Sequence, residues 1–180
     1  MIATVRNIAT ATQLHSLARS SPNISIEPLD VAQRAQAQAL AQRLAGQPID
    51  ILLHNAGIAP GTAQQSTFGS LDYDIARQAL ETNVWAVLWL TEALIGNITT
   101  SQQRKVIVMS SAVGSIGSVA RFSGMAGGSY MYRISKAALN MAMSLVARDL
   151  ADRGVIVGLV SPGQVDTDLG GGHRARRHCR

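Results

Sequence analysis

Cysteine is almost absent: Cys179, near the C-terminus, is the only one in 180 residues. No disulfide can form within the chain, and a reducing, cytoplasmic setting is expected. Long apolar runs are missing too. The central run over 84–90 is far too short to cross a bilayer, so no membrane association is expected. Charge is sparse, at 15% of residues against 47% apolar. That balance is ordinary for a soluble protein with one core. No acid precedes Glu27. An acid-free start containing Arg, Ser and Thr resembles a mitochondrial transit peptide. The alternation continuing through the next residues favours instead a strand over 2–5 and a helix over 10–17. Lys and Arg outnumber Asp and Glu by 16 to 11, but Arg174, Arg176, Arg177 and Arg180 crowd the C-terminal end. Without them the charge is near neutral. Such a tail reads as a solvated end rather than a nucleic-acid site.

Hydrophobic periodicity and turn residues divide the remainder into alternating elements. A second strand is predicted over 23–28. Asp30 stands where it can cap a helix over 31–44, which Gly46 ends. An apolar strand over 49–53 stops at His54-Asn55-Ala56-Gly57. A loop over 58–69 leads to a long helix over 71–94. Then come a strand over 105–109, a Gly- and Ser-rich segment over 110–129, a helix over 130–152 and a strand over 155–160. Ser161-Pro162-Gly163 breaks the last. Strands alternating with helices predict an α/β fold with a parallel sheet covered on both faces. There is no internal repeat. One domain is expected over 1–169. Composition changes abruptly after Leu169, which predicts a disordered basic tail over 170–180.

Tyr132 and Lys136 stand four apart on a predicted helix, which puts them on one face. An ammonium beside a phenol favours phenolate and is expected to lower the tyrosine pKa, suiting it to proton transfer. Ser111 follows a strand at its carboxyl end, where open α/β sheets bind ligands. Tyr-x-x-x-Lys alone arises by chance in many helices. The joint pattern is far more specific: Leu29-Asp30-Val31, Asn55-Ala56-Gly57, Asn83-Val84, Ser110-Ser111, Tyr132-Arg133-Ile134-Ser135-Lys136, and Ser161-Pro162-Gly163 running on to Asp166-Thr167. In this order the motifs resemble the short-chain dehydrogenase/reductase family, over about residues 2–171. The stretch over 132–140, with Gly170-Gly171, looks most like its C-factor and carbonyl-reductase-like branch.

The resemblance implies a Rossmann-type doubly wound parallel sheet and a carbonyl or secondary alcohol as small-molecule substrate. Tyr132 would transfer the proton, Lys136 would bind the nicotinamide ribose and support the phenolate, and Ser111 would orient the carbonyl. Asn83 would hold a water behind Lys136. Asp30 and Val31 would contact adenine; Asn55, Ala56 and Gly57 would line the adenosine ribose; Pro162, Gly163 and Thr167 would flank the nicotinamide. Plainer readings stand beside these. Asp30 would be only a helix cap, Asn83 only an interior amide, and Ser110 the functional hydroxyl in place of Ser111. His54 reads as structural rather than metal-ligating or acid–base, and no metal is expected. Arg6 follows the first strand, where enzymes selecting NAD commonly carry an acid; an arginine fork suits a 2′-phosphate, so NADP(H) is expected over NAD(H). Homodimers or homotetramers would resemble the family's assemblies.

The pattern departs from the family in three places. Nothing matches the opening strand and its Thr-Gly-x-x-x-Gly-x-Gly turn, whose amides hold the pyrophosphate. The strand over 2–5 takes second place, and a central strand is expected to be missing beside the one ending at Leu53. Two strand edges and apolar faces would then be uncovered. The 111–132 interval is long, and Gly124, Gly127 and Gly128 would give it a flexible wall. The final helix and strand have no counterpart. A chain truncated at both ends is the expectation. A catalytically silent fragment or a binding and signalling module is the alternative to an active reductase.

Overall fold

The computed structural model describes residues 1–62, 64–122, 130–163 and 165. Thr167, the glycines at 124, 127 and 128 and the basic tail lie outside the described residues. Among the described residues five strands form: β1 Ile2–Val5, β2 Ser25–Pro28, β3 Ile51–His54, β4 Lys105–Met109 and β5 Ile156–Val160. Five α-helices alternate with them: α1 Thr12–Ser20, α2 Arg34–Arg43, α3 Tyr73–Leu80, α4 Ala86–Thr99 and α5 Tyr130–Asp149. All pairings are parallel, but the strands make two sheets: β1 with β2, and β3-β4-β5 with β4 central. No ladder joins β1 to β3, so the two edges expected from the missing strand are present.

One apolar cluster holds the molecule together. Leu40 of α2, Leu94 and Ile98 of α4, Val106 and Val108 of β4, and Leu139 and Met143 of α5 are each at most 2% exposed. Burying such a side chain contributes roughly 1.5–3 kcal/mol. Helix α4 is central because its sequence places a buried residue at every turn. Val87, Leu90, Thr91, Leu94 and Ile98 recur at three- and four-residue steps, so they share the face turned to the core. Asn97 of α4 also donates to Leu44 O, at the C-cap of α2, and to Gln47 O in the turn that follows.

Several sequence expectations need correction. The later strands are covered on one face only: Ile51, Leu53 and Ile156 are at least half exposed. An apolar strand satisfies one-sided burial as readily as two-sided. Right-handed crossovers put α2, α4 and α5 on one face and α1 alone on the other, because β1 to β2 runs opposite to β3 to β5. Asp30 does not cap α2. Its Oδ1 accepts from Ala32 N at 3.0 Å, closing a turn ahead of the helix, and Gln33 occupies the cap position without a side-chain bond. The helix predicted over 71–94 is α3, a π-turn over Glu81–Trp85, and then α4. The helix predicted over 10–17 is a short 3₁₀ turn, Ile8–Thr10, followed by α1. Among the described residues no helix is long and apolar enough to cross a membrane.

Candidate active site

Among the described residues, each predicted site residue follows the carboxyl end of a strand or sits on a helical segment beside one. Ser110 and Ser111 end β4. Ser110 Oγ donates to Asn140 Oδ1 of α5 at 2.5 Å, so its hydroxyl is turned into the helix packing. Ser111 points the other way: it is hydrogen-bonded to the Tyr132 side chain and accepts from Val113 N. The geometry thus separates the two serines that the sequence left open. Tyr130, by contrast, is exposed and stacks loosely on Phe68, with ring centroids 6.3 Å apart.

Lys136 is buried under Tyr132. Its Nζ donates to Met109 O at 2.9 Å and lies 5.6 Å from the Tyr132 ring centroid. Burial pushes the ammonium down to about 8, so it still carries charge at neutral pH. The expected lowering of the tyrosine pKa is not seen. Burial raises the Tyr132 phenol above its usual value, and the Ser111 bond only partly offsets this. The lysine faces the ring and a backbone carbonyl rather than the hydroxyl, which is why its charge does not reverse the effect.

Asn83 is 1% exposed inside the π-turn. Its Oδ1 accepts from Ile58 N at 2.8 Å, and its Nδ2 donates to Ile58 O at 2.8 Å and to Ser135 Oγ at 2.9 Å. Ser135 Oγ in turn donates to Tyr132 O at 2.8 Å. Both amide protons are therefore engaged, and the side chain clamps the loop after β3 to the helix carrying Tyr132. Gly57 lies in the same cluster: a Cβ there would meet Asn83 Oδ1 at 3.3 Å and Lys136 Nζ at 3.7 Å.

The other predicted contacts are spread along the strand ends. Asn55 and Ala56 are exposed after β3, and Pro162 and Gly163 are exposed after β5. Gly163 has φ +76°, a left-handed backbone that favours glycine. Arg6 is exposed after β1, in a depression with Asn7 and Thr10, and among the described residues forms no ion pair. Asp30 and Val31 follow β2; Val31 O accepts from Trp89 Nε1 at 2.9 Å. His54 is buried against Thr91, and no metal-holding cluster exists among the described residues.

Sequence reading missed Gly114, Ser135, Asn140 and Ser161. A Cβ on Gly114 would meet the backbone carbon of Lys136 at 2.8 Å, so only glycine lets the loop after β4 lie against α5. Ser161 Oγ accepts from Ala112 N at 3.0 Å, joining the ends of β4 and β5. Ser135 and Asn140 carried a signal: they follow Tyr132 by three and Lys136 by four, on one side of the helix.

Known proteins are similar to this chain in sequence and in fold. A family profile described as short chain dehydrogenase matches residues 1–178. A 1-hydroxy-2-glutathionyl-2-methyl-3-butene dehydrogenase from Rhodococcus sp. is 38% identical over 153 residues, which is 83% of this chain and 63% of that protein. The C-signal protein of Myxococcus xanthus is 33% identical over 134 residues, 74% of this chain and 76% of its own length. The crystal structure of NADPH-bound carbonyl reductase from chicken fatty liver superposes with a TM-score of 0.86 at 30% identity, covering 97% of this chain and 72% of that one. The chain thus spans less than two thirds of the Rhodococcus relative. It belongs to the short-chain dehydrogenase/reductase family of oxidoreductases, in its carbonyl-reductase-like branch.

Proposed function

We propose that the chain serves NADP(H)-dependent interconversion of a carbonyl and a secondary alcohol. The observation carrying this is the Tyr132–Ser111 hydrogen bond with Lys136 held beneath the ring. The nicotinamide, when bound, supplies or accepts the hydride. In the reducing direction the Tyr132 hydroxyl gives its proton to the substrate oxygen. Its raised pKa keeps it protonated at neutral pH, the state that direction needs. Ser111 Oγ holds the same oxygen. Lys136, with one of its three donors engaged by Met109 O, keeps two for ribose hydroxyls. Gly57 fits the reading because a side chain there would press on Asn83 Oδ1, at 3.3 Å, in the cluster that also holds Lys136 Nζ. Asp30 and Val31 would meet the adenine, Asn55 and Ala56 its ribose, and Pro162, Gly163 and Thr167 the nicotinamide. Arg6, exposed and without an ion-pair partner among the described residues, suits a 2′-phosphate and supports NADP(H) over NAD(H). Exposed Trp85, Met141 and Leu145 on and before α4 and α5 suit pairing with a second copy.

The test follows NADPH oxidation with small ketones and aldehydes. Tyr132→Phe is expected to lower the rate at least 100-fold, the scale of losing a general acid. An unchanged rate would remove the proton role. NADPH is expected to raise the thermal midpoint more than NADH at equal concentration, and Arg6→Ala to erase the difference. Equal shifts in the unaltered chain would end the NADP(H) assignment. A second reading, a catalytically silent fragment or a binding and signalling module that does not take up the cofactor, is favoured by the split between the two sheets. It predicts no midpoint shift with either cofactor at millimolar concentration.

A further inference from the structure

Ser110 interrupts an apolar row. Side chains of a strand alternate between two faces, so Ser110 continues the row of Val106 and Val108, which are fully buried. Ser110 is buried too, and its N–H donates to Val160 O at 2.8 Å, as a strand residue would. A hydroxyl in that row is destabilising unless it finds a partner. Helix α5 supplies one: Asn140 Oδ1 accepts from Ser110 Oγ at 2.5 Å. Tyr132, Lys136 and Asn140 stand four residues apart, on one face of α5. Each meets the end of β4. Tyr132 is bonded to Ser111, Lys136 Nζ to Met109 O and Asn140 to Ser110.

The three contacts act on different parts of the chain. The peptide between Met109 and Ser110 is gripped without Asn140, by Lys136 Nζ at its carbonyl and by Val160 O at its N–H. Ser111 lies one residue further on, so its direction follows from the φ and ψ of Ser110. Beyond Ser111 the ties are exposed or long. Ala112 N donates to Ser161 Oγ at an exposed position, and Val113 N reaches Ser111 Oγ at 3.4 Å. Gly114 N donates to Ser111 O at 3.0 Å, a bond that carries the turn along with Ser111. The Ser110–Asn140 bond is the buried side-chain tie next to Ser111. We propose that Asn140, acting through Ser110, is a positioning residue that aims the Ser111 hydroxyl at the substrate oxygen; this rests on the reading of Ser111 as the group that holds that oxygen.

Without the Asn140 oxygen the Ser110 hydroxyl turns to another acceptor or admits water, and either change shifts the backbone that carries Ser111. A displacement of about 1 Å at a reacting group lowers a rate on the order of 100-fold. Lys136 keeps its bond to Met109 O, so cofactor binding is spared. The loss therefore falls on kcat, and only where Ser111 has a hydroxyl to aim.

The test uses the full chain with NADPH and small ketones or aldehydes. Asn140→Ala and Ser110→Ala are each expected to lower kcat about tenfold or more, with the KM for NADPH held within about threefold. Ser110→Ala removes the hydroxyl along with its need for a partner, so it serves if Asn140→Ala fails to fold. In a Ser111→Ala background, Asn140→Ala is expected to lower kcat by less than about twofold, because the group it aims is gone. The same loss in both backgrounds would overturn the proposal, and so would a raised KM for NADPH with kcat unchanged. A second measurement needs no turnover. Amide exchange read by NMR compares Gly114, bonded to Ser111 O, with Val108 inside β4. Asn140→Ala is expected to speed exchange at Gly114 about tenfold more than at Val108. Equal acceleration at both would mean general loosening and would overturn the positioning role. If the unaltered chain reduces no carbonyl, the reductase reading falls, and the ratio of these two amides alone decides whether Asn140 holds the Ser111 turn.

Discussion

Asn83→Ala is expected to destabilise the fold by roughly 3–5 kcal/mol. Three hydrogen bonds disappear together, leaving Ile58 N–H, Ile58 C=O and Ser135 Oγ without their partner. Each deserted polar group in a water-poor setting costs roughly 1–3 kcal/mol, and Ser135 is wholly buried. Urea unfolding measures the loss, with an unchanged m-value showing that the native state stays compact. The clamp makes a second demand. Ser135 also bonds Tyr132 O, so Asn83→Ala and Ser135→Ala act on one network. Their combined cost should fall short of additivity by about 1 kcal/mol. Strict additivity, or a single-variant loss under about 1 kcal/mol, would show that these bonds do not act as one stabilising clamp.

The Asn83 clamp also shows where sequence reading stops. Tyr132 and Lys136 were legible because helical geometry is local: four residues apart is one face wherever the helix sits. β4 was legible to both its ends, because Lys105–Met109 is bounded by polar residues on both sides. The π-turn over Glu81–Trp85 was not. Apolar spacing in 71–94 continues through it, and what holds Asn83 are Ile58 and Ser135, 25 and 52 residues away. The tyrosine pKa failed for a related reason. Spacing brought Lys136 to the right face, but burial and the Met109 carbonyl decide what its charge does. Gly114 carried no local signal at all, since its reason is the backbone of Lys136 across the packing. The apolar run of β3 could not say whether Leu53 would be covered. That depends on a neighbour, and none of the described elements supplies one.

His54 gives the other large effect, and it reads as acid sensitivity. Thr91 Oγ1 donates to Val87 O at 2.7 Å, which engages its single proton. His54 Nε2, 2.9 Å from the same oxygen, is therefore the donor. Burial lowers its pKa from 6.5 to about 4. The unfolded chain then binds a proton more readily than the folded one, so stability rises with pH wherever the two differ. The full contribution is present above pH 6.5 and is lost as pH falls toward 4. At about 1.36 kcal/mol per unit that window amounts to roughly 3 kcal/mol. Carboxylates titrate there too, so the informative quantity is a difference between proteins. His54→Gln keeps a neutral donor within reach of Thr91 and cannot titrate. Its unfolding free energy should fall less than that of the unaltered chain between pH 6.5 and 4, by most of that amount. Parallel curves would mean that His54 takes up its proton in place. The buried His54–Thr91 pair would then have to open to water without unfolding the chain, at the carboxyl end of β3.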